Sequence, residues 1–168
     1  MKTNLTHLMS IVDEEEKNFA ELLKNLRNHA YTSSIQELDG KVNITEDFKS
    51  DFEEEFAECK ESQRRITIMK AAIFCKNNEF KLSDGRTIQE AIVDNTNLRK
   101  MKATFNNLVN LRGSKDRVTE VHNSYFDCRT LNYNIKEMKS ELQKIEKRIE
   151  ETDFEISKLN SIEFEIEL

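Results

Sequence analysis

Residues Leu131 to Leu159 read LNYNIKEMKSELQKIEKRIEETDFEISKL, and within them Leu131, Ile135, Met138, Leu142, Ile145, Ile149, Thr152, Ile156 and Leu159 recur at alternating steps of four and three. Only Thr152 in that series is polar. An α-helix turns once in about 3.6 residues, so such a series lies along one side of it, and a repeat of 3.5 makes partners wind left-handedly. The rhythm then changes. In IEFEIEL, Ile162, Phe164, Ile166 and Leu168 alternate with Glu163, Glu165 and Glu167, which is the period of a strand. The expectation is an all-α fold, an antiparallel helical bundle of long coiled-coil-like helices, with a C-terminal strand at 162–168. A helix that simply frays at its end is the other reading of that tail.

Upstream segments repeat the helical pattern. Leu5, Leu8, Val12, Glu15, Phe19, Leu22, Leu26 and His29 form a seam broken only by the glutamate and the histidine. YTSSIQELDGKVNIT, Tyr31 to Thr45, carries turn formers and no helical stripe, so a loop is expected there, with Thr45 as N-cap of the next helix. Phe48, Phe52, Phe56, Cys59, Ile66 and Ile73 stripe the second helix, with Gln63, Lys70 and Asn77 interrupting the same seam. Ile88, Ala91, Ile92, Leu98, Met101, Phe105 and Leu108 stripe the third, whose start shows Thr87 and Glu90 in capping-box spacing. Between them EFKLSDGRTI sets Asp84-Gly85 between short alternating runs, the signal of a type I′ hairpin, to which the terminal strand of the same or a neighbouring subunit could add. The expected layout is a single domain over 1–168, with helices at about 4–30, 46–76, 87–111 and 130–160 and a hairpin at about 79–88.

Composition agrees with long helices. Hydrophobic residues make up 37% and charged residues 35%, with no Pro, no Trp and three Gly, a balance that buries narrow stripes and solvates the rest. The formal charge of −6 supplies no global attraction for nucleic acid or an anionic membrane. No apolar run approaches spanning length and the first residues lack a signal peptide's apolar region, so a cytoplasmic protein is expected. Cys59, Cys75 and Cys128 are odd in number and far apart, which fits neither a disulfide framework nor a zinc site.

The run Ile73, Asn77, Leu82, Asp84, Gly85, Arg86, Thr87, Ile88, Glu90, Ala91 and Ile92, followed by Ile149, Asp153, Ile156 and Asn160, resembles the septicolysin-like family of small bacterial helical proteins. The resemblance implies an antiparallel bundle joined by a small hairpin and no assigned enzymatic activity. Phe74, Cys75 and Lys76 stand where that family carries a polar run, and Ser161 where it carries a Trp, which implies a different ligand if those positions line a pocket.

Two places suit an anion. At the hairpin corner, the N-terminus of the third helix, with Thr87 as its cap, adjoins Arg86 and Lys81, and a helix start offers unpaired N–H groups and a positive dipole end. Against this, a capped start satisfies part of those donors by itself. After the third helix, LRGSKDRV sets Arg112, Lys115 and Arg117 around Gly113 and Ser114, either a phosphate-wrapping loop or a helix C-terminus with Gly and cations where capping favours them. A helix of about 25 residues holds these two places roughly 36 Å apart, so they could share a ligand only across subunits. Polar seam residues, Lys70 and Asn77 among them, either set register or line an interhelical pocket. No catalytic motif, metal set or cofactor motif is present. The acidic runs Asp13 to Glu16 and Asp51 to Phe56 read as solvated helix faces. The functional expectation is a non-enzymatic homo-oligomer that sequesters a phosphate-bearing or nucleotide-like small molecule, in the manner of a signal sponge. A coiled-coil scaffold or protein-interaction module without such a ligand is the other expectation.

Overall fold

The computed structural model describes residues 1–167. Leu168, the last residue of the expected terminal strand, lies outside the described residues. The elements in chain order are β1 (Lys2–Asn4), α1 (Leu5–Asn28), β2 (Ser33–Gln36), β3 (Val42–Glu46), α2 (Lys49–Glu79), α3 (Ile88–Asn110), β4 (Ser114–Thr119), β5 (Ser124–Arg129), α4 (Ile135–Asn160) and β6 (Glu163–Glu165). The protein is mostly helical, with small antiparallel strand pairs β1–β6, β2–β3 and β4–β5. It forms two compact units, one of residues 1–79 with the segment from Asn160 onward, the other of Phe80–Leu159.

In the first unit, Asn4 caps α1 by accepting from the His7 amide at 2.9 Å, and the seam residues Leu5, Leu8 and Val12 are buried. The inner side of α2 keeps much of the expected stripe, with Cys59 buried and Phe52, Ile66, Ile73 and Asn77 half-buried, but it moves back by one residue at three turns: Phe56, Gln63 and Lys70 are exposed, and Glu55, half-buried, with Ser62 and Met69, buried, stand in their place. Pairing of polar seam residues across the two helices explains the shift. Glu15 accepts from Ser62 Oγ and an Arg65 guanidinium nitrogen, each at 3.3 Å, and His29 lies 3.0 Å from Glu55 and stacks on Phe48. The residues that interrupt α1's apolar series therefore select polar residues opposite them. Phe56 turns outward, beneath the Lys60 ammonium at 4.1 Å.

Leu8, Val12, Met69 and Ile166 form this unit's core, flanked by Ile73 and Phe164. Ile166 and Phe164 belong to the alternating tail, and their inward positions follow from its period of two. The terminal strand does not add to the 79–88 hairpin as expected. It pairs with β1, Thr3 opposite Phe164, and the Met1 amine donates to the Ile166 carbonyl at 2.6 Å. Burial of Ile166 and Phe164 over α1 and α2 accounts for this choice of mate.

The expected loop 31–45 is instead the β2–β3 ribbon, turning at Asp39-Gly40 with Gly40 at φ +89°. Thr45 therefore lies in β3, and Asp47 accepts from the Lys49 amide at 3.1 Å at the start of α2.

In the second unit Leu98, Ile145 and Ile149 form the core, with Phe105 against it. Ile92 and Met101, expected on α3's seam, are exposed, and Asn95 is buried in that face. Its amide donates to Asp153 at 2.8 Å. α4 begins at Ile135, later than expected, after Asn134 accepts from the Lys136 amide at 2.8 Å. Thr152 is buried along with its apolar neighbours. The expected basic loop is the β4–β5 ribbon. Gly113 does not cap α3 in a left-handed conformation: a Cβ there would lie 2.7 Å from the Arg129 carbonyl oxygen, so glycine permits the two strands of the ribbon to approach. No helix among the described residues is long and apolar enough to cross a membrane.

Candidate functional site

The corner ahead of α3 is a hairpin reduced to its tip, with Lys81 bridged to Thr87. The Leu82 amide donates to the Arg86 carbonyl at 2.8 Å and the Gly85 amide to Leu82 at 3.0 Å. Gly85 alone takes positive φ, at +87°. A type I′ turn needs positive φ at both central residues, and Asp84 keeps a negative one, so the loop is of the three-residue kind with glycine in the left-handed place. The same arrangement recurs at Glu37–Lys41, where Glu37 donates to Lys41 and Gly40 to Glu37.

Beside the turn a cleft of about 270 Å³ is lined by Ser83, Asp84, Arg86, Arg148, Glu151 and Glu155, among others. Its donors face the protein's own carboxylates. The Ser83 amide and hydroxyl donate to Glu155 at 2.8 and 2.7 Å. The Arg86 amide and Nε donate to Asp84 at 3.0 and 2.7 Å, and Arg86 and Arg148 share one oxygen of Asp94 at 2.6 and 2.7 Å. Thr87 and Glu90 close a capping box. Hydrogen bonding from Arg86 holds Asp84 below the usual carboxylate range, that from the Ser83 amide does the same for Glu155, and Asp84 in turn raises Arg86. An incoming anion would have to displace a carboxylate that is already bonded. Chemically, the cleft is a closed ion-pair network.

The remaining expected residues are dispersed. Lys81 is exposed beside Ser83, Glu155 and Lys158. Lys70 pairs with Glu16 over a shallow groove of the first unit, and Asn77 lies half-buried near the end of α2. Arg112 donates to the Val109 and Leu111 carbonyls at 3.2 and 2.8 Å, finishing α3. Lys115 and Arg117 alone come together on one open surface. In the β4–β5 register Lys115 opposes Cys128 and Arg117 opposes Phe126, so these side chains share a face. The Lys115 ammonium lies 4.5 Å from the Phe126 ring centre. Asp116 and Asp127, opposite one another, take the other face.

Sequence reasoning missed Phe126, Glu155, Asp94 and Arg148. For Phe126 a signal existed, the alternation of cation and carboxylate in Lys115-Asp116-Arg117. For the other three the spacing carried none, since it is the turn that faces them. Among the described residues no group of three or more His, Cys, Asp or Glu could hold a metal ion.

The model of DUF6847, a family of unknown function, matches residues 36–168. The chain belongs to DUF6847. This corrects the resemblance to the septicolysin-like family, which the match does not indicate. Part of the run that carried it, Leu82 to Glu90, is a glycine turn feeding a capping box, and the same turn geometry recurs at Glu37–Lys41. No curated protein matches the chain. A solved structure, described as that of a functionally unknown conserved protein from Corynebacterium diphtheriae, is similar at a TM-score of 0.61 and 19% identity, over 98% of this chain and 100% of that one. At that identity the likeness is one of fold. In this DUF6847 chain the matched span takes in the 81–87 corner and all of the β4–β5 ribbon.

Proposed function

We propose that the protein is a non-catalytic, self-associating interaction module, an antiparallel helical bundle whose two ribbons are its contact surfaces. The observation that carries this reading is where large apolar side chains meet water. Ile35, Val42 and Ile44 on β2–β3, and Tyr125 and Phe126 on β4–β5, are 46–62% exposed. Exposed apolar residues on the helices are scattered, and Phe154 is overlain by the Lys158 ammonium at 4.1 Å. A two-stranded ribbon is marginal by itself in water and presents unpaired edges, so apolar residues grouped there favour a partner that covers them. Sedimentation velocity tests the reading. The protein should form a defined oligomer that Ile35→Ser together with Phe126→Ser reduces to single chains with helical content unchanged; a single chain at all concentrations would overturn it.

A second reading, a binder of phosphate-bearing or nucleotide-like molecules, is supported by one surface. Lys115, Arg117 and Phe126 share a face free of carboxylates, where phosphate could meet the cations and a base the ring. Calorimetric titration with inorganic phosphate and a nucleotide panel tests it, with Lys115→Ala/Arg117→Ala abolishing any heat. The corner residues Arg86 and Thr87 do not favour this reading, because their donors are engaged internally.

A further inference from the structure

We infer that the two ribbons dock on each other between copies, the carboxylate-bearing face of β2–β3 in one copy against the cationic face of β4–β5 in the next. This rests on the self-association reading and names its contact.

Each ribbon is two-sided, and the register shows how. In β2–β3, Ile35 opposes Asn43 and Ser34 opposes Ile44, but Ser33 opposes Glu46. One strand advances by one residue while the other advances by two, so Thr45 is the extra residue of a bulge. Without the bulge, alternation would set Glu46 beside Ile44. With it, Glu46 joins the side of Ser33 and Ile35, and the Ser33 hydroxyl reaches it at 3.4 Å. Glu37, two residues beyond Ile35, belongs to the same side and accepts from the Asn43 amide at 2.7 Å. This face thus carries an exposed isoleucine between two carboxylates; the ribbon's lysine, Lys41, stands in the turn, its carbonyl accepting from the Glu37 amide.

The β4–β5 face is its counterpart. Lys115 and Arg117 alternate along one strand with Phe126 opposite Arg117, while Asp116 and Asp127 are turned to the reverse side. One face therefore offers an apolar centre flanked by anions, the other an apolar centre flanked by cations. Like faces repel, so the favoured contact joins different ribbons. Every copy carries one of each, so two copies can meet reciprocally about a two-fold axis, or successive copies head-to-tail in a ring or filament. The occupant of these two faces is accordingly a second copy of this chain; Val42, Ile44 and Tyr125 lie on the reverse faces.

Charge reversal tests this on the full chain. One variant carries Glu37→Lys and Glu46→Lys, the other Lys115→Glu and Arg117→Glu. Each alone should sediment as a single 19.8 kDa chain, because its two ribbon faces now have the same sign. An equimolar mixture should regain the assembled mass, since each variant's altered face meets a face of opposite sign on the other. Circular dichroism checks that helical content is kept. Where a reversal lowers it, the neutral pair Glu46→Gln and Arg117→Gln should each weaken assembly measurably. Single chains in the mixture as well as alone would overturn the contact between unlike ribbons and leave self-association standing. Variants that assemble like the parent would show that these charges are not in contact, which also overturns it. A parent protein that is a single chain throughout would remove both readings.

Discussion

Glu155 shows how one side chain decides what a site can hold. Its carboxylate takes both donors of Ser83, and these bonds hold its pKa below the usual range, as Arg86 does for Asp84. Both folded values lie below the unfolded ones. The contacts therefore contribute stability above about pH 4, where unfolded carboxylates ionise, and lose it as pH falls through the lower folded values. The Ser83 amide nitrogen shift should titrate in that acid window, and Glu155→Gln should abolish the titration; an unchanged profile in the variant would show that Glu155 does not hold the turn. The cysteines make a second test at this scale. Cys59 is buried, its thiol pushed up by burial first and by Glu55 and Glu58 second, while Cys75 and Cys128 are exposed. A thiol reagent should modify Cys75 and Cys128 in the native protein and spare Cys59, since thiolate and access both govern the reaction. Modification of all three at equal rates would mean that the α1–α2 face opens readily.

At the scale of elements, the glycines separate two kinds of constraint. Gly85 has open space around its would-be Cβ but a φ of +87°, so Gly85→Ala should cost about 1–2 kcal/mol through backbone strain. Asn there should be milder. Gly113 meets the Arg129 carbonyl, and Gly113→Ala should cost about 1–3 kcal/mol through overpacking, a loss that Asn would deepen. Urea unfolding of the four variants distinguishes the cases. These elements also show how far spacing could be read. α1 and α4 follow their apolar periods, because a helix face is written locally, whereas α3 departs from its own at Ile92 and Met101, which are exposed, and at Asn95, which is buried. α2 was legible as a helix and in part of its facing side, at Cys59, Ile66 and Ile73, but not at Glu55, Ser62 and Met69, which are chosen by Glu15, His29 and the α1 core across from them. The β2–β3 turn was missed although Asp39-Gly40 repeats Asp84-Gly85; its strands bury little, and a half-exposed ribbon has a weak apolar alternation.

At the scale of the whole molecule, the first unit is closed by residues far apart in sequence. β6 returns to β1, and Ile166 enters the cluster of Leu8, Val12 and Met69. Ile166→Ala should therefore cost about 2–5 kcal/mol, measured as a fall in the urea midpoint, whereas Ile162→Ala, at an exposed position, should change it little. Equal effects would contradict the placement of Ile166 in the core and of Ile162 at the surface.

By itself the sequence determined the periods: four helices, a capping box at Thr87, a turn at Asp84-Gly85 and a strand-like tail, each set by bonds and side-chain spacing within a few residues. The tertiary structure decided the partners. It set Glu55, Ser62 and Met69 in place of Phe56, Gln63 and Lys70 on the inner side of α2, gave β6 to β1, drew Glu155 onto Ser83 and Asp94 between Arg86 and Arg148, and gathered Lys115, Arg117 and Phe126 onto one face. The physical reason is that periodicity specifies which side of an element is to be covered, while the covering residue is set by pairing of polar groups and burial between segments far apart in the chain, which no local spacing records.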